Sequence, residues 1–203
     1  MSQPSRIAIT ILIISFVASL SAVSLAQEPA PQAERFTGTV MVLNAPATGA
    51  LYMKITIERW TTDEERKKLA EVLKSGGPDA FADAMEKMEP AGYIQIDNNL
   101  RWPIRSAASW KTEKGRMVRF ATDRPINIAE TQYSTRSRDY PIGVIQLLLP
   151  PEGKGEGALL AATQVQFDAE GRLEVKSLPT NMGPQKVINV QSEIVPPKKS
   201  KKK

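Results

Sequence analysis

The chain has 203 residues, no cysteine, no histidine and a formal net charge of +5. Without thiolates and imidazoles, it has no means to form disulfides or Ser–His and Cys–His nucleophile pairs, and a structural zinc site is nearly excluded. We therefore expect neither a cofactor nor a metal site. Catalysis by Asp, Glu, Tyr, Lys or Arg stays open, including carboxylate-based hydrolysis.

The first 26 residues predict a signal peptide. Arg6 supplies a positive start, an apolar stretch follows over 7–23, and Ser24 and Ala26 place small side chains before a cut between Ala26 and Gln27. The stretch just reaches the length of a membrane span, but serines dilute it. We therefore expect cleavage, no transmembrane span after processing, and a secreted or periplasmic bacterial protein.

The positive charge is concentrated at the C-terminus. Five lysines occur in the last six residues, and setting these and Arg6 aside leaves 21 basic residues against 22 acidic ones. The body therefore carries a charge near −1 and predicts no nucleic-acid surface. The tail over 196–203 is expected to be disordered. It favours either electrostatic attachment to an anionic envelope polymer or lipid surface, or simple solubilisation. The attachment residues are Lys198, Lys199, Lys201, Lys202 and Lys203.

The sequence pattern of the body of the chain predicts a series of strands. After a flexible Pro- and Ala-rich lead-in over 27–35, a single domain is predicted over 36–195. Alternation of apolar and polar residues is clearest over 51–58. The other predicted strands are 36–43, 92–97, 104–111, 116–122, 142–149, 158–168, 172–178 and 186–194. The fold class is therefore α+β, mainly antiparallel β with about nine strands, closed as a barrel or folded as a sandwich.

A two-helix insertion is predicted over 62–89, after the second strand. Thr62 and Glu65 have the spacing of a capping box. Gly76 and Gly77 indicate the end of the first helix, and Pro78 the start of the second. Further on, Phe81, Met85 and Met88 have helical spacing, and we expect them in the core rather than in a ligand site.

A glycine-rich stretch over 153–157, with the sequence GKGEG, is a weak candidate for a phosphate loop. A phosphate loop needs its lysine after the last glycine and a helix behind it. Here Lys154 precedes Gly155, and a strand is predicted to follow. We therefore expect a flexible hairpin loop.

The stronger candidate is the segment over 123–141, because long ordered loops in compact domains are often functional. Arginine and tyrosine together suit the recognition of sugars, carboxylates or phosphates through planar donors and stacking faces. The alternative is a set of surface ion pairs without a functional role. The predicted ligand-binding residues are Arg124, Tyr133, Arg136, Arg138 and Tyr140.

Several short stretches taken together resemble a group of exported bacterial proteins of unassigned function. The resemblance spans roughly 36–195 and implies a compact secreted or periplasmic domain, and it supplies no catalytic residues. The stretches are Trp60–Arg66, Gly76–Asp79, Gly92–Ile94, Ala121–Ile126, Asp139–Pro141 and Gly153–Gly157.

The sequence thus favours an exported, non-enzymatic β-rich domain that binds a ligand or partner in the cell envelope. The alternative is a histidine-free hydrolase that uses carboxylates on an envelope or extracellular substrate. Two facing acids in a deep polar cleft would favour the hydrolase, whereas an apolar barrel interior would favour binding. No catalytic residue is predicted, since Glu64, Glu65, Asp168 and Glu170 all have structural explanations in a helix cap and a turn.

Overall fold

The computed structural model describes residues 32–42, 49–97, 101–126, 139–180 and 183–196, and the predicted signal peptide, its cleavage site and the lysine tail lie outside these ranges. The described residues form nine strands and one helix. These are β1 (Glu34–Val42), β2 (Gly49–Ile57), α1 (Asp63–Lys87), β3 (Gly92–Ile96), β4 (Trp102–Thr112), β5 (Gly115–Thr122), β6 (Ile142–Leu149), β7 (Gly155–Phe167), β8 (Leu173–Ser177) and β9 (Gln185–Ile194). All nine predicted strands are confirmed. β6 and β7 form the hairpin expected around the glycine-rich stretch, but β7 already begins at Gly155, so the predicted loop over 153–157 is shorter than expected.

Eight of the strands form a closed antiparallel barrel. The strand order is β6-β5-β4-β3-β2-β1-β9-β7, and a further pairing between β6 and β7 closes the ring. The remaining strand, β8, pairs with the end of β7 from Gln164 to Phe167. In a closed ring no strand has an unpaired edge. The structure is therefore a barrel, and not the sandwich that the sequence allowed as an alternative.

The barrel interior is filled by apolar side chains. The alternation predicted for β2 is confirmed, because Met53, Ile55 and Ile57 are fully buried. Across the interior, the rings of Phe36 and Phe120 meet edge to face with centroids 5.2 Å apart. Trp102, Ile96 and Ile126 also belong to this core. The described interior is therefore a packed core.

The helix α1 packs against the outer wall of the barrel and forms a second apolar cluster there. Phe81 and Met85 are fully buried, which confirms their predicted place in a core, and Met88 packs at its margin. Their partners are Ala121 on β5, Ile142 and Val144 on β6, Val165 on β7 and Leu173 on β8. This cluster fixes α1 over the strands that flank the 123–141 segment.

The insertion contains one helix among the described residues, where we predicted two. Gly77 has φ 73° and ψ −170°, so the helix is broken at this residue, but it continues from Pro78. Glycine adopts positive φ without the steric cost of a Cβ, and proline is tolerated in a first helical turn. The glycines and the proline that predict the end of one helix and the start of another therefore produce a kink within a single helix.

The N-terminal cap of α1 gives a test of the insertion. The Glu65 backbone N donates to Thr62 Oγ1 at 3.2 Å, and the Thr62 backbone N donates to Glu65 Oε2 at 2.9 Å. Thr62→Ala should therefore lower the free energy of unfolding, measured in urea, by about 1 kcal/mol. As a control, Thr180→Ala changes an exposed residue between β8 and β9 and should cost under about 0.5 kcal/mol. Equal losses in the two variants would argue against the capping role.

The barrel has two ends, which we call the terminal end and the loop end. At the terminal end β1 begins and β9 ends, with Glu34 opposite Ile194. At the loop end β5 ends and β6 begins.

Candidate functional site

The structure places two of the five predicted ligand-binding residues. Arg124 is exposed and Tyr140 is half-buried, and both lie at the loop end on the stems that leave β5 and enter β6. Tyr133, Arg136 and Arg138 lie outside the described residues. Because β5 and β6 are neighbours in the barrel, the two stems start from adjacent positions at this end.

The first stem is fixed by a buried ion pair that the sequence analysis missed. Arg105 Nε donates to Asp123 Oδ2 at 2.7 Å, and the two side chains are only 15% and 5% exposed. Arg105 Nη1 also donates to the Met88 backbone O at 2.6 Å. The pair therefore joins β4, the end of α1 and the start of the 123–141 segment.

Three further contacts hold the stems. Thr122 Oγ1 accepts a hydrogen bond from the Gly143 backbone N at 3.2 Å and donates one to the Arg124 backbone O at 2.5 Å. The Ile126 backbone N donates to Ala161 O at 2.8 Å, and its side chain is fully buried. A Cβ on Gly143 would lie 2.7 Å from both Thr122 Oγ1 and Ile126 Cγ1, so only glycine fits there. The backbone on which Arg124 lies is thus held rigidly, as a binding site requires.

A second ion pair crosses the terminal end of the barrel. Arg116 donates from Nη1 and Nη2 to the two Glu34 oxygens, at 2.8 and 2.7 Å. Since β1 and β5 are four strands apart in a ring of eight, this contact spans the barrel. Arg116 also lies 5.3 Å from the ring of Trp60, whose Nε1 donates to Gln32 O at 3.1 Å. The ion pair covers the core at this end of the barrel, and the hydrogen bond from Trp60 to Gln32 holds the lead-in against it.

Four acids of the described region, Glu34, Glu65, Asp123 and Asp168, make structural contacts with arginine. Glu34 and Asp123, the two buried acids, each bind an arginine. Burial alone would raise the pKa of Glu65, but hydrogen bonds from Thr62 and the charge of Arg59 outweigh it, so that pKa is lowered. Similarly, burial would raise the pKa of Asp168, but hydrogen bonds and charge from Arg172 lower it. The lowered pKa values of Glu65 and Asp168 favour their ionised forms, whereas a general acid needs a raised pKa.

A small groove on the outer wall combines arginine and tryptophan. The guanidinium carbons of Arg119 and Arg172 lie 5.0 and 5.3 Å from the ring centroid of Trp110. The groove has a volume of about 10 Å³, which is room for one water. Its lining includes Arg66, Ser106, Ala108, Trp110, Arg119 and Leu173.

Arg119 links this groove to the β7–β8 hairpin. Its Nε and Nη2 donate to Gln146 Oε1 at 3.0 and 2.7 Å, and its Nη1 donates to the Leu173 backbone O. Burial lowers the pKa of Arg119, and the nearby charges of Glu174 and Asp168 counteract part of that shift. The contacts hold the hairpin against the wall. The sequence analysis missed these contacts because Gln146 and Leu173 are distant from Arg119 in the chain. The only available signal was that these side chains fall on the outward-facing positions of their strands.

Two further properties of the described residues bear on the site. They contain no group of three or more acidic side chains arranged to hold a metal ion. They also contain no helix that is both long and apolar enough to span a membrane. Comparison of the chain with protein-family models, with curated proteins and with solved structures gives no match.

Proposed function

We propose that the protein is an exported, non-enzymatic domain that binds an anionic component of the cell envelope. The observation that carries this proposal is the packing of the barrel interior and the pairing of its buried acids. Its described interior is filled with apolar side chains, and its two buried acids are bound to arginines. In this proposal the barrel is a rigid scaffold, and the partner is bound by the ends of the barrel and by the lysine tail.

The distribution of charge supports an anionic partner. The body carries a charge near −1, whereas the last six residues contain five lysines. A lysine close to an anionic lipid surface contributes about 1 kcal/mol of attraction. Attachment to such a surface therefore depends on the tail rather than on the folded body.

A second contact in this proposal is made by the 123–141 segment. Arg124 and Tyr140 lie at its stems, and the ion pair of Asp123 with Arg105 fixes the backbone from which it leaves. Arginine and tyrosine side chains suit ligands that carry carboxylate, phosphate or sugar groups. The segment would add selectivity to an attachment that is otherwise purely electrostatic.

No observation favours the hydrolase alternative. A carboxylate hydrolase needs two acids facing each other across a cleft that admits a substrate. The outer-wall groove holds about one water and is lined by arginines, not by acids. Within the described ranges, both buried acids are occupied by arginines. These features support binding as the proposed function.

Deletion of residues 198–203 tests the proposal directly. The variant should lose its salt-sensitive retention on anionic lipid and cell-wall preparations, because those residues hold all five tail lysines. The expected loss is several kcal/mol of binding free energy, at about 1 kcal/mol per lysine. Sedimentation with each preparation over a range of salt concentrations measures it. Thermal stability should be unchanged, since the deletion removes nothing from the barrel.

A matched control removes the same charge from the folded body. Five exposed lysines are changed to glutamine, and the chain keeps its tail. If the tail is the attachment site, this control should retain most of its binding, and a loss equal to that of the deletion would refute the proposal. The five lysines are Lys67, Lys68, Lys74, Lys87 and Lys111.

A further inference from the structure

We infer that one outer face of the barrel binds an acidic polysaccharide, with a tyrosine ring against its sugars and two cations for its carboxylates. This inference rests on the proposed function for the class of partner, an anionic component of the envelope. It goes further in naming a polymer of acidic sugars and in placing its site on the barrel wall. The residues of this site are Tyr52, Lys54, Tyr93 and Arg101, and we call them the tyrosine face.

The tyrosine face lies on the side of the barrel away from the helix. Helix α1 packs on β5, β6, β7 and β8 through its apolar cluster. The inward residues of β2 and β3 are buried, so Tyr52, Lys54 and Tyr93 lie on the outward-facing positions of these strands. None of the three belongs to either apolar cluster of the described residues. Because Tyr52 and Arg101 are exposed, the face is open to a partner.

The strand register brings the four side chains together. Tyr52 and Lys54 are two residues apart on the same side of β2, so their Cα atoms are separated by about 7 Å. Lys54 pairs with Gln95 on β3, and Tyr93 is its diagonal neighbour at about 7–8 Å. The Arg101 guanidinium carbon lies 4.4 Å from the centroid of the Tyr93 ring. Aromatic rings and cations therefore form one continuous strip across β2 and β3.

Tyr52 supplies the exposed ring of this strip, and its backbone is fixed. The side chain is 53% exposed. The Tyr52 backbone N donates to Asp97 Oδ1, and the Asp97 backbone N donates to Tyr52 O, both at 2.7 Å. A sugar ring presents C–H groups on its flat side, and the negative face of an aromatic ring attracts them. Because the backbone is already held, stacking on Tyr52 requires little additional ordering.

The charge of the face favours a partner with carboxylates. Lys54 and Arg101 form no ion pair with an acid of the described residues, whereas Arg35 on the neighbouring strand is paired with Glu193. Since Ile94 is opposite Trp102, Arg101 falls beside Gln95, and two strand spacings of about 10 Å in total separate the two cations. Carboxylates that repeat along a polymer can reach both cations, and the exposed ring favours a polymer of sugars over a lipid surface.

Binding of polygalacturonate, a polymer of carboxylated sugars, tests the tyrosine face in the full-length protein. Tyr52→Thr removes the ring but keeps a residue suited to a strand. We expect it to weaken binding about tenfold in isothermal titration calorimetry, whereas Tyr52→Phe should keep the original affinity. Lys54→Gln should weaken binding about two- to fivefold, the usual contribution of an exposed ion pair. Lys111→Gln, which removes an exposed lysine from β4, is the matched control and should leave binding unchanged.

Two other polymers separate the ring from the charge. Dextran is an uncharged polysaccharide and should not bind measurably, whereas polyphosphate has no sugar ring and should bind equally to Tyr52→Thr and the unchanged protein. An equal affinity of Tyr52→Thr and the unchanged protein for polygalacturonate would overturn the inference. A tenfold loss of polyphosphate binding in Tyr52→Thr would overturn it as well, because the face would then recognise charge alone.

The same measurements in a chain that lacks 198–203 distinguish this inference from the proposed function. The tenfold ratio between Tyr52 and Tyr52→Thr should persist there, because the tyrosine face does not involve the tail. A ratio of one in the shortened chain would overturn the inference and leave attachment through the tail intact. Retention on anionic lipid that survives the deletion would instead overturn the proposed function and leave the result at Tyr52 in place.

Discussion

Replacement of Asp123 by alanine should lower the free energy of unfolding by about 3–5 kcal/mol, the usual cost of removing one partner of a buried ion pair. The change leaves the Arg105 guanidinium, whose side chain is 15% exposed, without its carboxylate. It also frees the first stem of the 123–141 segment from the end of α1. Urea unfolding followed by circular dichroism measures the loss.

The exposed pair between Arg35 and Glu193 is the matched control. Its side chains are 37% and 62% exposed, and Nη1 lies 2.5 Å from Oε1. Exposed pairs contribute up to about 1 kcal/mol, so Glu193→Ala should have a small effect. If Asp123→Ala were as mild as Glu193→Ala, the stem would not depend on the buried pair.

The second large effect is expected at the contact between helix and barrel. Phe81→Ala should cost about 3–5 kcal/mol, since it removes a large buried ring and leaves a cavity. The ring is fully buried and meets Phe167 edge to face, with centroids 6.1 Å apart. Thermal and urea unfolding of the variant measure the loss, and near-ultraviolet circular dichroism reports whether the remaining aromatic residues keep their packing.

Leu73→Ala provides the comparison on the same helix. Leu73 is half-buried and packs at the margin of the cluster. Its truncation should cost about 2 kcal/mol, the low end of the range for buried leucine. Small and equal effects in the two variants would mean that α1 contributes little to the stability of the barrel.

Much of the secondary structure could be predicted from the sequence, because its signals are local. Strand β2 alternates apolar and polar residues, and its apolar positions are the buried ones. The spacing of Thr62 and Glu65 was enough to predict the cap of α1. Local signals did not decide whether Gly77 ends a helix or bends one, since glycine permits both.

The candidate site was predictable only in part. The composition of the 123–141 segment directed attention to Arg124 and Tyr140, which the structure places at the loop end. The pair of Arg105 with Asp123 and the contacts of Trp110 with two arginines carried no sequence signal. Arg105 and Trp110 meet Asp123 and Arg119 across the β4–β5 hairpin, where the bulge between Ile104 and Ser106 shifts the register, and Arg172 reaches Trp110 from the distant β7–β8 hairpin.

The sequence by itself determined which residues form strands, which faces of those strands are apolar, and that the excess positive charge lies in the last six residues. Only the tertiary structure decided that β6, β7 and β9 close a barrel, and that Glu34 meets Arg116, 82 residues away. The physical reason is that side-chain alternation specifies which face of a strand is buried but not which strand lies beside it.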